Sequence, residues 1–157
     1  MALQRKVVNL ARDFSQRRVA FGKRIAKLPL HLNVLCQMEV DVRGCTIFLM
    51  DLARLQGLLD SNMILDEEKN LLRLMMPVAK FYTAKKAVSN ASEGIECFGA
   101  QGYIEDTGIP GFLRDAQVLP IWEGTSNIMA LDILRAMSKT KVSQWCLKTA
   151  EMSWKKY

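Results

Sequence analysis

Histidine is almost missing from this chain: His31 is the only one. One imidazole excludes a His-based metal centre and leaves a His–Cys nucleophile system without support. The four cysteines, Cys36, Cys45, Cys97 and Cys146, have no metal-like spacing. Cys36, Cys45 and Cys97 fall in apolar helical stretches and read as reduced core thiols. No apolar run approaches the ~20 residues of a membrane span. The densest, Ile47-Phe48-Leu49-Met50, is hemmed in by Arg43, Asp51 and Arg54. Met1-Ala2-Leu3-Gln4-Arg5-Lys6 has neither the apolar core nor the cleavage site of a signal peptide. Leu3, Val7, Leu10, Ala11 and Phe14 carry it on as a helix, so an intracellular protein is expected. No repeat or low-complexity tract occurs, and no stretches alternate apolar and polar residues well enough to build a sheet.

What remains is a helical pattern. Half the residues are hydrophobic and 24% are charged, the composition of a folded domain. Apolar positions recur every three or four residues. They predict helices near 3–20, 29–57, 66–98 and 126–138, with a short one near 112–117. Pro29 suits a helix start. Asp66, Glu67 and Glu68 favour the first turn of the next helix. Pro77 should kink or split that helix. The tail 142–157 has a weaker helical signal. Long helices and short loops make an all-α, up-and-down four-helix bundle with a C-terminal helical tail. Its expected core includes Leu35, Val42, Leu49, Val78, Phe81, Ile95, Ile128 and Leu131. The net charge of +6 attracts polyanions without choosing among a dinucleotide, coenzyme A, nucleic acid and a membrane surface.

The segment Trp122-Glu123-Gly124-Thr125-Ser126-Asn127 stands out. A Glu packed against an indole loses hydration, and its pKa rises toward neutrality. A general base working near neutral pH needs that. Thr125 or Ser126 can cap the following helix, whose first N–H groups suit an anion. A base beside such a helix start fits proton abstraction from an anionic substrate. The plainer alternative is a loop Glu ahead of a capped helix.

Three motifs stand in order along the chain. They are Arg18-Val19-Ala20-Phe21-Gly22, Phe98-Gly99-Ala100-Gln101-Gly102-Tyr103 and Trp122-Glu123-Gly124-Thr125. In this order and spacing, from about Leu10 to about Met137, the chain resembles the C-terminal helical domain of the acyl-CoA dehydrogenase family of flavoproteins. Trp122, Pro77, Pro29 and Glu96 look more like its alkylation-response branch than its straight-chain enzymes.

The resemblance implies roles residue by residue. Glu123 would remove a proton from the carbon next to a thioester carbonyl, and a hydride would pass from the next carbon to flavin adenine dinucleotide (FAD). Thr125 and Asn127 match positions that hydrogen-bond the flavin cofactor, though relatives more often carry Gln where this chain has Asn127. Arg18 matches an arginine on the pyrophosphate of a cofactor bound mainly by a neighbouring subunit, and Arg17 stands next to it. Phe21 would pack beside the cofactor. Glu96, Gly99 and Ala100 match a segment meeting its adenosine end, where many relatives carry Gln in place of Glu96 and Gly in place of Ala100.

The family enzyme also has an N-terminal helical and a middle β domain, and only its last domain is recognised here. The implied partners are an acyl-CoA substrate, further copies of the chain as a homodimer or homotetramer, and an electron-transferring flavoprotein. The rival expectation is a non-catalytic helical module for oligomerisation or for binding nucleic acid or a partner.

Overall fold

The computed structural model describes residues 1–139. The expected helical tail and Cys146 lie outside the described residues. The described chain is built on five α-helices: α1 (Ala2–Arg17), α2 (Pro29–Asp60), α3 (Asp66–Glu96), α4 (Gly111–Val118) and α5 (Ser126–Lys139). No helix among them is long and apolar enough to cross a membrane.

The structure corrects the expectation of no sheet. α1 stops at Arg17 rather than near residue 20, because Arg18 takes an extended conformation. A two-stranded antiparallel hairpin follows, β1 (Val19–Ala20) and β2 (Lys23–Arg24), pairing Val19 with Arg24 and Ala20 with Lys23. Its loop is Phe21 and Gly22, with φ of 52° and 75°. Two central residues at positive φ match the right-handed strand twist, so a two-residue loop can close the hairpin. The Ile25 N–H donates to the Arg18 carbonyl at 3.0 Å and ties off its base.

Pro29 opens α2 as expected. At 32 residues α2 is roughly 48 Å long at the standard rise. Leu65 N–H donates to the Glu68 carboxylate at 3.2 Å, which closes the start of α3. α3 continues through Pro77 as one helix rather than splitting. It ends at Glu96, ahead of Gly99 at φ 59°.

The chain divides into two compact units. Residues 1–47 and 82–123 form the first. Its core gathers Val8, Ala11, Leu35, Met38, Val42 and Phe98. The Phe14 and Phe98 rings lie 5.0 Å apart in a tilted arrangement. A Cβ on Gly94 would lie 2.0 Å from a Val7 methyl, so α1 and α3 approach closely there. Glu39 accepts from Arg5 at 2.5 Å and from Arg43 at 2.6 Å, and Lys86 pairs with Asp41 at 3.0 Å.

The second unit holds, among the described residues, 48–81 and 124–139. Leu52, Leu55, Leu72 and Ala79 are its main core, while Leu74 and Ala136 form a second cluster backed by Ile133. Arg73 reaches Asp132 at 3.2 Å. Of the expected core residues, Leu35 and Val42 are buried, and Leu49, Val78 and Ile95 are partly so. Phe81, Ile128 and Leu131 are exposed, at 38%, 53% and 51%. α5 carries apolar residues on two faces, and the face that packs is the one holding Ile133 and Ala136.

Candidate functional site

Arg18 ends α1. Its backbone N–H donates to Phe14 O at 2.9 Å, which fixes the turn from helix to hairpin. Arg17 is occupied by an ion pair with Asp13 one helical turn back. The exposed Arg18 guanidinium has no hydrogen bond or ion pair among the described residues. Of the two neighbouring arginines, Arg18 is therefore the one with its fork of donors free for an outside anion.

The end of α3 lines the same cleft as Arg18. The left-handed turn at Gly99 leads into a 3₁₀ turn, Gly99–Gly102. A Cβ on Gly102 would lie 2.0 Å from the Ile95 carbonyl oxygen. The two glycines thus have different reasons: Gly99 needs its backbone conformation and Gly102 needs the space. The loop beyond is braced by the Arg114 guanidinium, donating to both Glu105 carboxylate oxygens at 2.8 and 2.9 Å.

Arg18, Glu96, Gly99 and Ala100 line one cleft of about 450 Å³, with Phe14 and Ile25 among its apolar walls. A second cleft, of about 610 Å³, shares Phe14, Arg18, Phe98 and Gln101 with the first. A free cation facing a cleft that also holds a carboxylate and a glycine turn can take a ligand with a phosphate and a hydroxyl-bearing ring. Cys97 lines the first cleft as well. Burial, aided by Glu93 and Glu96, pushes its thiol up to about 11. It is therefore a neutral wall and not a thiolate nucleophile.

Phe21 is the hairpin tip and is 91% exposed, outside the walls of the cleft. Glu123 is exposed, and Trp122 beside it is 56% exposed. The described residues therefore do not by themselves form the dry indole pocket expected around Glu123. Its backbone is distinctive nonetheless. Among the described residues, the non-glycine residues at positive φ are Phe21, Asn62 and Glu123, the last at 53°. Left-handed backbone is costly for an L side chain and concentrates at functional positions.

Thr125 and Asn127 belong to the second unit. Thr125 immediately precedes α5, and its carbonyl accepts from Met129 N–H at 3.0 Å. Asn127 lies in the first turn of α5 and is exposed. In the same unit Lys80, half-buried on α3, donates from Nζ to the Gly124 carbonyl. The sequence reading missed Lys80. Its only signal was one cation in the apolar stretch Pro77-Val78-Ala79-Lys80-Phe81.

Comparison with known proteins gives these residues a context. The family described as acyl-CoA dehydrogenase, C-terminal domain, matches residues 1–138. Acyl-CoA dehydrogenase family member 11 of Caenorhabditis elegans is 53% identical over 138 residues, covering 88% of this chain and 22% of that protein. The putative acyl-CoA dehydrogenase AidB of Escherichia coli K12 is 34% identical over 139 residues, covering 88% of this chain and 25% of that protein. The chain thus spans about a quarter of the length of these relatives. Among solved structures, C. elegans ACDH-11 in complex with C11-CoA superposes with a TM-score of 0.85 at 53% identity, over 88% of this chain and 23% of that one. Butyryl-CoA dehydrogenase from Megasphaera elsdenii, at 21% identity and a TM-score of 0.72 over 86% of this chain and 33% of that one, shares the fold.

Proposed function

This chain belongs to the acyl-CoA dehydrogenase family, as its C-terminal helical domain, and from that premise we propose that it serves a flavin-dependent enzyme oxidising an acyl-CoA thioester to the 2,3-unsaturated product. The N-terminal helical and middle β domains would complete that enzyme. One observation carries the reading. Arg18 and the Glu96–Ala100 turn, far apart in sequence, converge on a single cleft.

The residues present fit one end of FAD. Arg18 would hold the pyrophosphate, and Glu96 would accept from a ribose hydroxyl. Phe21 would lie against that cofactor from the hairpin tip, with Gly99 and Ala100 near its adenosine end. The cofactor at this cleft would be one bound mainly by a neighbouring subunit, while Thr125 and Asn127 would hydrogen-bond a flavin on their own. When bound, the flavin supplies the hydride acceptor. Glu123 takes the proton from the carbon next to the thioester carbonyl. The dry walls that raise its pKa would come from outside the described residues. The substrate class is supported by the C. elegans relative solved with C11-CoA.

Homo-oligomerisation is supported by Ile128, Leu131 and Leu134, which expose an apolar face on α5. An electron-transferring flavoprotein would reoxidise the cofactor. The test is the three-domain protein, purified and mixed with acyl-CoAs of graded length. A flavin spectrum and 2-enoyl-CoA product are expected. A colourless protein that makes no enoyl product and binds DNA in a salt-dependent way would favour the non-catalytic module instead.

A further inference from the structure

Lys80 sits midway along α3, and its ammonium donates to the carbonyl of Gly124, the residue directly after Glu123. This contact lies within the second unit, where Arg73 and Asp132 also tie α3 to α5 at 3.2 Å. Glu123 and Gly124 hold φ of 53° and 110°. A left-handed Glu persists only where its surroundings hold it. A charged donor holds a peptide carbonyl more firmly than a neutral one does. Lys80 loses rotamer freedom to make the contact, an entropic cost that has to be offset.

We propose that Lys80 is a positioning residue for Glu123, its hold on the Gly124 carbonyl fixing the backbone that presents the Glu123 carboxylate to substrate. The proposal rests on the reading of Glu123 as the base. Its test separates the two claims.

The backbone is read first, by NMR on the 157-residue chain. A left-handed residue gives a strong intraresidue Hα–HN cross-peak. Lys80→Met keeps the stem and removes the donor, so it is expected to weaken that peak at Glu123 while the helical circular dichroism stays. Lys80→Arg, which keeps a charged donor, is expected to restore it.

Turnover is read second, in the three-domain protein. Lys80→Met is expected to lower kcat by about 10-fold to 100-fold, the scale of a lost charged hydrogen bond, with KM moved far less. Lys80→Arg is expected to recover part of that loss. An unchanged Glu123 peak in Lys80→Met overturns the proposal. So does a loss of activity that only follows the loss of folded protein, in Lys80→Met and Lys80→Arg alike. If Glu123→Gln turns over like the parent, the base reading fails by itself, whatever the backbone signal does.

Discussion

Arg18 at the end of α1 and Glu96 at the end of α3 line the same cleft, a cation and a carboxylate on one concave surface. The cation is the free one of two neighbouring arginines, since Arg17 is held by Asp13.

That difference separates two variants. In the three-domain protein, Arg18→Ala is expected to weaken flavin retention by about 10-fold or more, because it removes a charge-assisted phosphate contact. Arg17→Ala should change retention far less. The ratio of flavin absorbance to protein absorbance after gel filtration checks both. The isolated 157-residue chain is expected to hold FAD weakly or not at all and to be catalytically silent. Its Phe21, Thr125 and Asn127 are all exposed.

The glycine turn gives a second test. Gly102→Ala would push a Cβ against the Ile95 carbonyl and is expected to cost about 1–3 kcal/mol. Gly99→Ala meets nothing within 4 Å, so its cost is the backbone strain alone, about 1–2 kcal/mol. Melting temperatures check the pair, at roughly 2–4 °C per kcal/mol for a chain of this size. Ala at Gly102 should also shift the neighbouring turn, whereas Ala at Gly99 should strain only its own backbone.

Truncation distinguishes the buried face of α2 from the exposed face of α5. Leu35→Ala and Leu55→Ala remove buried side chains and are expected to cost about 2–5 kcal/mol each. Ile128→Ala and Leu131→Ala act on the exposed face and should stay within about 0.5 kcal/mol in the isolated chain at concentrations where it is monomeric. Urea denaturation checks all four.

Those two residues also mark where the sequence could and could not be read. α2 and α3 were legible because Pro29 and the acidic run Asp66-Glu67-Glu68 mark their starts and their apolar spacing is sustained. α5 is apolar on two sides, so periodicity located the helix but not the face that packs. The hairpin was illegible because the helical spacing that starts at Leu3 extrapolates to about residue 20, past Arg18 and Val19. Its formation depends on left-handed backbone at Phe21, a residue type that does not advertise it. The glycine turn and Arg18 were legible as motifs. The grip of Lys80 on Gly124 was not, because it joins a mid-helix side chain to a loop carbonyl and leaves no spacing pattern. The indole pocket around Glu123 was inferred from sequence neighbours, but adjacency along a chain does not bury two side chains together.

Acid should weaken the first unit through Glu39. Hydrogen bonding to Arg43, and then to Arg5, holds its carboxyl below the usual value near 4.5. A depressed folded pKa stabilises the fold above the unfolded value, and that contribution is lost as pH falls through the folded one. Glu39→Gln is therefore expected to flatten the dependence of melting temperature on pH below about 4.5. An equally steep acid limb in the variant would assign that limb to other carboxylates.

The most direct measurement is anaerobic flavin bleaching by acyl-CoA in the three-domain protein, comparing Glu123→Gln with the parent. The amide keeps the shape and the cofactor but cannot accept the proton. The parent is expected to bleach on mixing. Glu123→Gln is expected to stay yellow with acyl-CoA bound and to react slower by ~10²–10⁴, the usual worth of a general base. Bleaching of Glu123→Gln at the parent rate would contradict the account.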